Sequence, residues 1–404
     1  MFCYRFFTIF ATIFLPKKYH TMNNSFFYIL VVGAIFIATG IFAQAPFNHT
    51  GEDVVDIIVK VNKRWQDTRP AQVNAFWHPA AYHTGNMEAY SVTGREEFRE
   101  YSLAWAQHNY WKGAKSDVRA NWLYSYGETD DYVLFGDWQI CFQTYIDLYL
   151  LDKKPENEYM IARAKEVMEY QMSTPINDYW WWADGLYMVM PVMTKLYKIT
   201  GNELYLQKLY EYFAYARDLM YDSEAGLFFR DARYVYPRHT TRSGLKDFWS
   251  RGNGWVFAGL AKTLIDLPET NPHRGEYIQI FRAMANALKN AQQPEGFWAR
   301  SLLDLEQAPG NETSGTAFFT YGFLWGINNG ILESNVYLPV VAKSWQYLTE
   351  TALQPDGLVG YIQPIGERAD QHRNVGPTTT SDFGTGAFLL AASEMVRYIK
   401  MNNE

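Results

Sequence analysis

Cysteine is nearly missing: the 404 residues hold two, and Cys3 falls in a segment expected to be removed, which leaves Cys141 alone in an apolar stretch. A disulfide framework and a thiolate metal site are both excluded. None of the eight histidines stands three or four residues from another, so no helical pair offers zinc ligands, and the sequence predicts neither a metal nor a cofactor. An excess of positive charge is lacking as well. The formal net charge is −7, with Lys and Arg scattered along the chain, which supplies no field for nucleic acid. Period-2 alternation is almost absent after residue 46, and no proline- or serine-rich linker interrupts the chain from there to residue 404.

What is abundant is aromatic. Phe, Tyr and Trp make up 17% of the residues, more than a core usually needs, so part of this set is expected to line a groove for an amphipathic ligand. Most of the remainder is expected to be core.

The one long apolar run spans 26–42, follows Met22, and exits through Ala43-Gln44-Ala45-Pro46. That is the pattern of a secretory signal, so residues 1–45 are read as a signal segment and residues 46–404 as one catalytic domain. The usual basic start is absent after Met22, whereas Lys17 and Lys18 lie just upstream, so residues 1–21 are either part of the signal or a mis-called extension. The run is also as long as a short spanning helix, which leaves a signal anchor open beside cleavage. Export is expected, with the periplasm as destination, secretion or anchoring as alternatives, and no stable membrane insertion once the segment is gone.

Beyond residue 46, amphipathic periodicity predicts helices at 51–68, 95–111, 134–151, 158–172, 182–199, 202–220, 249–266, 273–292, 314–327, 335–352 and 382–400. Internal echoes accompany them. Thr93-Gly94-Arg95-Glu96 matches Thr200-Gly201-Asn202-Glu203 as a capping-type helix start, and Gly226-Leu227-Phe228, Gly296-Phe297-Trp298 and Gly357-Leu358-Val359 return at about the interval of a helix pair. An α-solenoid shares that period but presents a polar concave face, whereas here aromatics gather at helix starts and loops. The reading is all-α: an (α/α)6 barrel whose loops meet at one end.

Two clusters carry chemistry. Trp180-Trp181-Trp182-Ala183-Asp184-Gly185-Leu186-Tyr187-Met188 sets a carboxyl among indoles, where low polarity raises its proton affinity toward neutral pH. The alternative role for Asp184 is a helix N-cap. Trp249-Ser250-Arg251-Gly252-Asn253-Gly254-Trp255 supplies a guanidinium able to grip a carboxylate and two indoles able to stack on a sugar ring, unless both rings are core and Arg251 pairs internally. Asp137, in Phe135-Gly136-Asp137-Trp138, is a second acid or a helix cap. These residue types together point to an acidic sugar.

The same motifs resemble the unsaturated glycuronyl hydrolases of glycoside hydrolase families 105 and 88, with the nearest likeness to the family-105 unsaturated rhamnogalacturonyl hydrolases. The resemblance implies removal of a 4,5-unsaturated uronic acid from the non-reducing end of oligosaccharides made by a polysaccharide lyase, rhamnose-linked in ulvan or rhamnogalacturonan. It implies Asp184 as the proton donor and Asp137 as the second catalytic acid, which holds the substrate and tunes the first; Trp182, Trp249, Arg251 and Trp255 are expected from their chemistry to hold the sugar. The reaction is hydration of the C4–C5 double bond. This sequence departs from the family where many members carry a histidine, reading Phe228-Phe229-Arg230-Asp231 instead, with Arg233, Arg238, His239 and Arg242 following. Arg230, Arg233, Arg238, His239 and Arg242 are therefore expected at the mouth, where the cations would suit a sulfated neighbouring sugar; a solvated charged loop is the alternative. His78, His83 and Trp77 are further candidates for the cleft. A polysaccharide lyase or epimerase on the same toroid, and a carbohydrate-binding protein without activity, are the competing functions.

Overall fold

A computed structural model describes residues 47–372 and 374–403, so the expected signal segment lies outside the described residues. Twelve α-helices alternate along the described chain between an inner and an outer position. The inner six are α2 (Trp77–Thr93), α4 (Cys141–Leu151), α6 (Ala183–Thr200), α8 (Ser250–Asp266), α10 (Thr313–Asn328) and α12 (Asp382–Asn403). Each packs on the next, and α12 returns to α2, which closes the ring. The outer six are α1 (Gly51–Gln66), α3 (Glu96–His108), α5 (Tyr159–Ser173), α7 (Leu204–Met220), α9 (Arg274–Ala291) and α11 (Ser334–Gln346), and each lies mainly against one inner helix. This is the (α/α)6 barrel expected from the pattern.

The sequence revealed eleven of the twelve described helices, inner ones such as α6, α8 and α10 as closely as outer ones. Outer helices keep one wet face, as in α1, where Val54, Ile58, Val61 and Trp65 are buried and Thr50 caps the first turn with Asp53 in a reciprocal pair. Inner helices are covered on all sides. Helix α2, absent from the expected set, buries Tyr82, His83, Thr84, Asn86 and Met87 together, so it has no polar face to give it a period. The segment expected as a helix from residue 134 begins instead with a loop and a short 3-10 turn, Gly136–Trp138, and α11 passes into a π-helical turn, Tyr347–Ala352.

The echoes prove to be repeated turns. Gly94 and Gly201 take left-handed backbone (φ 66° and 68°) and close α2 and α6, so the Thr-Gly signature ends an inner helix, and no side chain caps the outer helix that follows. Gly226, Gly296 and Gly357 are all at positive φ, each shortly beyond an outer element. After Gly226 the chain forms the small antiparallel pair Tyr221–Asp222 with Leu227–Phe228, and Asn253 of α8 holds Phe228 through both its backbone N–H and its carbonyl.

Aromatic rings mostly fill the interior: Trp105, Trp180, Trp182, Trp255, Trp298 and Trp345 are all under 2% exposed. Where the ring closes, α2 and α12 cross at Gly85 and Gly386, whose backbones leave no room for a side chain. A Cβ on Gly85 would fall 2.1 Å from the Gly386 carbonyl oxygen, and one on Gly386 2.4 Å from that of Ala81. Gly386→Ala must push the two backbones apart and is expected to cost roughly 1–3 kcal/mol of stability in a denaturant titration. Gly275→Ala, at an open and exposed site of α9, serves as the control and is expected to be neutral or stabilising. Equal midpoints for the two variants would contradict this packing.

Candidate active site

The inner helices start at one end of the barrel, and there the loops enclose a cavity of about 540 Å³. Asp137, Trp182, Asp184, Arg230 and Arg251 all line it, so five of the eight site residues expected from sequence meet in one place. Trp77 also lines it, as do Trp181, Tyr126, Arg233 and the segment from Ile365 to Glu367 with Gln371.

Asp184 is the second residue of α6, and Trp182 occupies the N-cap position, so the carboxyl is free of capping duty. It is held beside a polar strand. The Ala183 N–H donates to the Arg230 carbonyl at 2.8 Å and Trp182 bridges Asp231 in antiparallel fashion, which sets Arg230 alongside the carboxyl. Arg230 Nε stands 3.8 Å from Asp184 Oδ2, and each of these two buried atoms lacks a hydrogen-bond partner. A buried donor and acceptor left in this condition are costly in the core and suited to receiving a ligand. Asp137 enters from the 3-10 turn Gly136–Trp138 and is also buried.

Burial pushes both acids up. For Asp184 the loss of solvent is the largest effect, opposed by the Arg230 and Arg251 guanidinium groups. For Asp137 burial is again the largest, and the charge of Asp184 adds to it, so Asp137 is raised well above the usual carboxylate range. Two desolvated carboxyls that repel each other retain a proton that isolated ones would release.

The walls are indoles. Trp181 and Trp182 lie with ring centres 4.8 Å apart, and Phe135 backs Trp182 at 4.8 Å, so the Trp-Trp pair before Asp184 is propped against the loop that carries Asp137. Trp77 also lines the cavity, stacked on Phe383 at 5.2 Å.

The second motif has a different task from the one its composition suggested. Trp249 is 3% exposed and does not line the cavity; its Nε1 donates to Gln363 Oε1 at 2.9 Å, and the ring packs on Ala308 and Ala369. Trp255 is fully buried in the barrel interior against Phe318 at 4.4 Å and Tyr187 at 4.9 Å. Neither presents a face to a sugar, which corrects the expectation of stacking walls at these positions. Arg251 reaches the cavity, but Nη1 and Nη2 donate to the carbonyls of Gln363 and Pro364 at 2.6 and 2.9 Å. Burial lowers its pKa to about 10, although the charges of Glu312 and Asp184 support the cation. The motif thus fastens the loop 363–372 over the cavity. Gln363 completes the attachment, since its Nε2 donates to the carbonyls of Arg368, Ala369 and Gln371.

His239 is a second correction. Its Nε2 pairs with Asp247 Oδ2 at 2.8 Å and it does not line the cavity, so it pins its own loop. Of the five cations expected at the mouth, Arg230 and Arg233 alone line the cavity; Arg238 and Arg242 are exposed outside it. His83 is buried against Trp105 and Ser102, and His78 pairs with Asp382 in a neighbouring recess. Among the described residues, no group of three or more His, Cys, Asp or Glu is placed to hold a metal ion.

A family model described as Glycosyl Hydrolase Family 88 matches residues 47–399. An unsaturated 3S-rhamnoglycuronyl hydrolase from Formosa agariphila is 32% identical over 379 residues, covering 88% of this chain and 93% of that protein. A solved structure described as a glycosyl hydrolase of family 88 from Bacteroides vulgatus is 56% identical, with a TM-score of 0.84 over 87% of this chain and 100% of that one. Another, described as a polysaccharide lyase, is 64% identical, with a TM-score of 0.84 over 87% of this chain and 98% of that one.

Two outcomes follow from the geometry. Because the folded-state pKa of Asp137 lies above its unfolded value, the cost of its charge is absent below the unfolded pKa and appears as pH rises through the folded one. Asp137→Asn should therefore raise Tm at pH 7 by a few degrees, with the gain vanishing below about pH 4; a lower Tm at pH 7 would contradict it. Trp249→Phe keeps the ring and loses the bond to Gln363, so amide exchange across 363–372 should quicken roughly fivefold, the equivalent of about 1 kcal/mol. Unchanged exchange would mean that the indole N–H does not hold the loop.

Proposed function

This chain belongs to Glycosyl Hydrolase Family 88 and is a glycosidase, and on that premise we propose that it removes a 4,5-unsaturated uronic acid from lyase-generated oligosaccharides by hydrating the C4–C5 double bond. The observation that carries this reading is the pair of buried carboxyls, Asp137 and Asp184, on the wall of one indole-lined cavity. Their raised proton affinity supports proton delivery at neutral pH.

In this mechanism the unsaturated ring lies between the indoles of Trp77 and Trp181–Trp182, with its planar carboxylate toward Arg230 and Arg251. The Asp184 carboxyl gives its proton to C4 while a water oxygen adds at C5. That water's second proton returns to the carboxyl pair, so one water is added across C4=C5 and the enzyme is regenerated. The resulting C5 hemiketal opens by breaking C5–O5, which leaves a ketone at C5 and a hemiacetal at C1. Collapse of that hemiacetal expels the neighbouring sugar. No glycosyl-enzyme forms, so the geometric rule for nucleophile and acid separation in ordinary glycosidases does not govern this site.

Rhamnose is the proposed neighbour. The name of the Formosa agariphila relative supports a 3-sulfated rhamnose, and Arg230 and Arg233 on the cavity wall suit such an anion. An ulvan-type substrate is therefore favoured over rhamnogalacturonan within this reading. The likeness to family 105 rests on the two sequence motifs and belongs to the same proposal. So does export: the enzyme would work in the periplasm, after a lyase has cut the polymer.

A lyase reading has one observation in its favour, the description of the 64% identical structure. The two chemistries move the same signal in opposite directions. Incubation with ulvan-lyase and rhamnogalacturonan-lyase digests should lower the ultraviolet absorbance of the conjugated uronate, and Asp184→Asn should slow that loss by about 10²–10⁴-fold. A rise in absorbance on intact polymer would replace the proposal with the lyase.

A further inference from the structure

The cations at the cavity mouth are already matched. Asp231 is buried, with its side chain 3% exposed, and accepts from Arg230 Nη1 at 2.6 Å and from Arg233 Nε and Nη2 at 3.0 and 2.9 Å. The Arg233 backbone N–H donates to it as well, at 2.8 Å. The second acid is Glu367, on the loop 363–372, whose Oε2 lies 2.6 Å from Arg233 Nη2 and 3.8 Å from Arg230 Nη1. With Asp184 3.8 Å from Arg230 Nε as well, the two cations face three acids.

The two acids differ in what holds them. Asp231 is bound by both guanidinium groups and a backbone amide in a dry position, and its neighbour Arg230 is tied to α6 through the Ala183 N–H. Removing it would strand buried charge. Glu367 is one-third exposed, and among the described residues its carboxylate contacts are those to the two arginines. An ion pair of this exposure contributes little to stability. Its Oε2 occupies the point on which Arg233 Nη2 and Arg230 Nη1 converge, and Arg233 is itself 57% exposed toward the mouth.

We propose that Glu367 determines specificity as a resident counter-ion: it fills the oxyanion position between Arg233 and Arg230, and an anionic group on the sugar next to the unsaturated uronate takes that position by displacing it. This rests on the functional reading above and adds to it the residue that limits the preference for charged over neutral neighbours. A sulfate ester has the three terminal oxygens needed to meet both guanidinium groups, while a neutral sugar meets a site in which the charges are already satisfied. Glu367 thereby weakens the binding of every anion by competing with it, and its removal should favour the sulfated substrate selectively.

The test compares wild type with Glu367→Gln, which keeps the side chain's shape and removes its charge. Substrates are an unsaturated uronyl-rhamnose 3-sulfate and the same disaccharide after chemical desulfation. The ratio of kcat/KM values, sulfated over desulfated, is expected to rise about threefold to fivefold in the variant, as the loss of one partly exposed ion-pair competitor allows. An unchanged or lower ratio overturns the proposal. A measurement independent of turnover accompanies it: Tm in sodium sulfate against sodium chloride at equal ionic strength. The sulfate-specific gain should be larger in Glu367→Gln than in wild type and should be lost when Arg233→Gln is added. Equal gains in all three overturn the counter-ion role even if neither disaccharide is turned over, whereas absence of turnover with the expected pattern of gains would count against the hydrolase reading alone.

Discussion

Withdrawal of two carboxyl groups from water is the constraint on which the rest of this molecule depends. Asp137 and Asp184 arrive from separate segments, a 3-10 turn and the first turn of α6, and burial dominates the proton affinity of each. Keeping them dry requires a wall that water cannot wet, which the Trp181–Trp182 pair and Trp77 supply. It also requires compensating charge near enough to offset part of that burial without cancelling the upward shift it causes. Arg230 at 3.8 Å from Asp184, beyond hydrogen-bond reach, meets both conditions.

The barrel is the device that brings these pieces together. Six inner helices run into one mouth, so short segments far apart in sequence deliver one or two residues each to the same cavity. Tight crossings such as Gly85 against Gly386 fix how the helices approach one another. The long segment between the π-helical turn and α12 then folds over the mouth and is fastened by Arg251, Trp249 and Gln363. Through Glu367 that segment also reaches the arginines. Cover and charge balance are thus set by one loop.

Much of this was legible in the sequence, and the exceptions have physical causes. Eleven of the twelve described helices were found, inner and outer alike, whereas α2, buried almost throughout, offered no polar face to mark its period. Asp184 was recognisable from its indole neighbours, and Arg230 and Arg251 from charge set among aromatics. Trp249 and Trp255 were assigned to the sugar because stacking chemistry requires indoles, but residue type does not say which way a ring points, and both point inward. Glu367 carried no motif. Its signal was indirect: a long aperiodic stretch between residues 352 and 382 in an otherwise helical chain, where a loop of that length usually has a function.

The central claim is that the carboxyl pair adds a proton to C4 while water adds to C5. Turnover in D₂O, followed by nuclear magnetic resonance of the released keto-uronate, tests it most directly. The account expects one deuterium at C4, delivered to a single face, with the neighbouring sugar released unlabelled on carbon. A released uronate that keeps its double bond and carries no deuterium at C4 would mean simple hydrolysis at C1, and would contradict it.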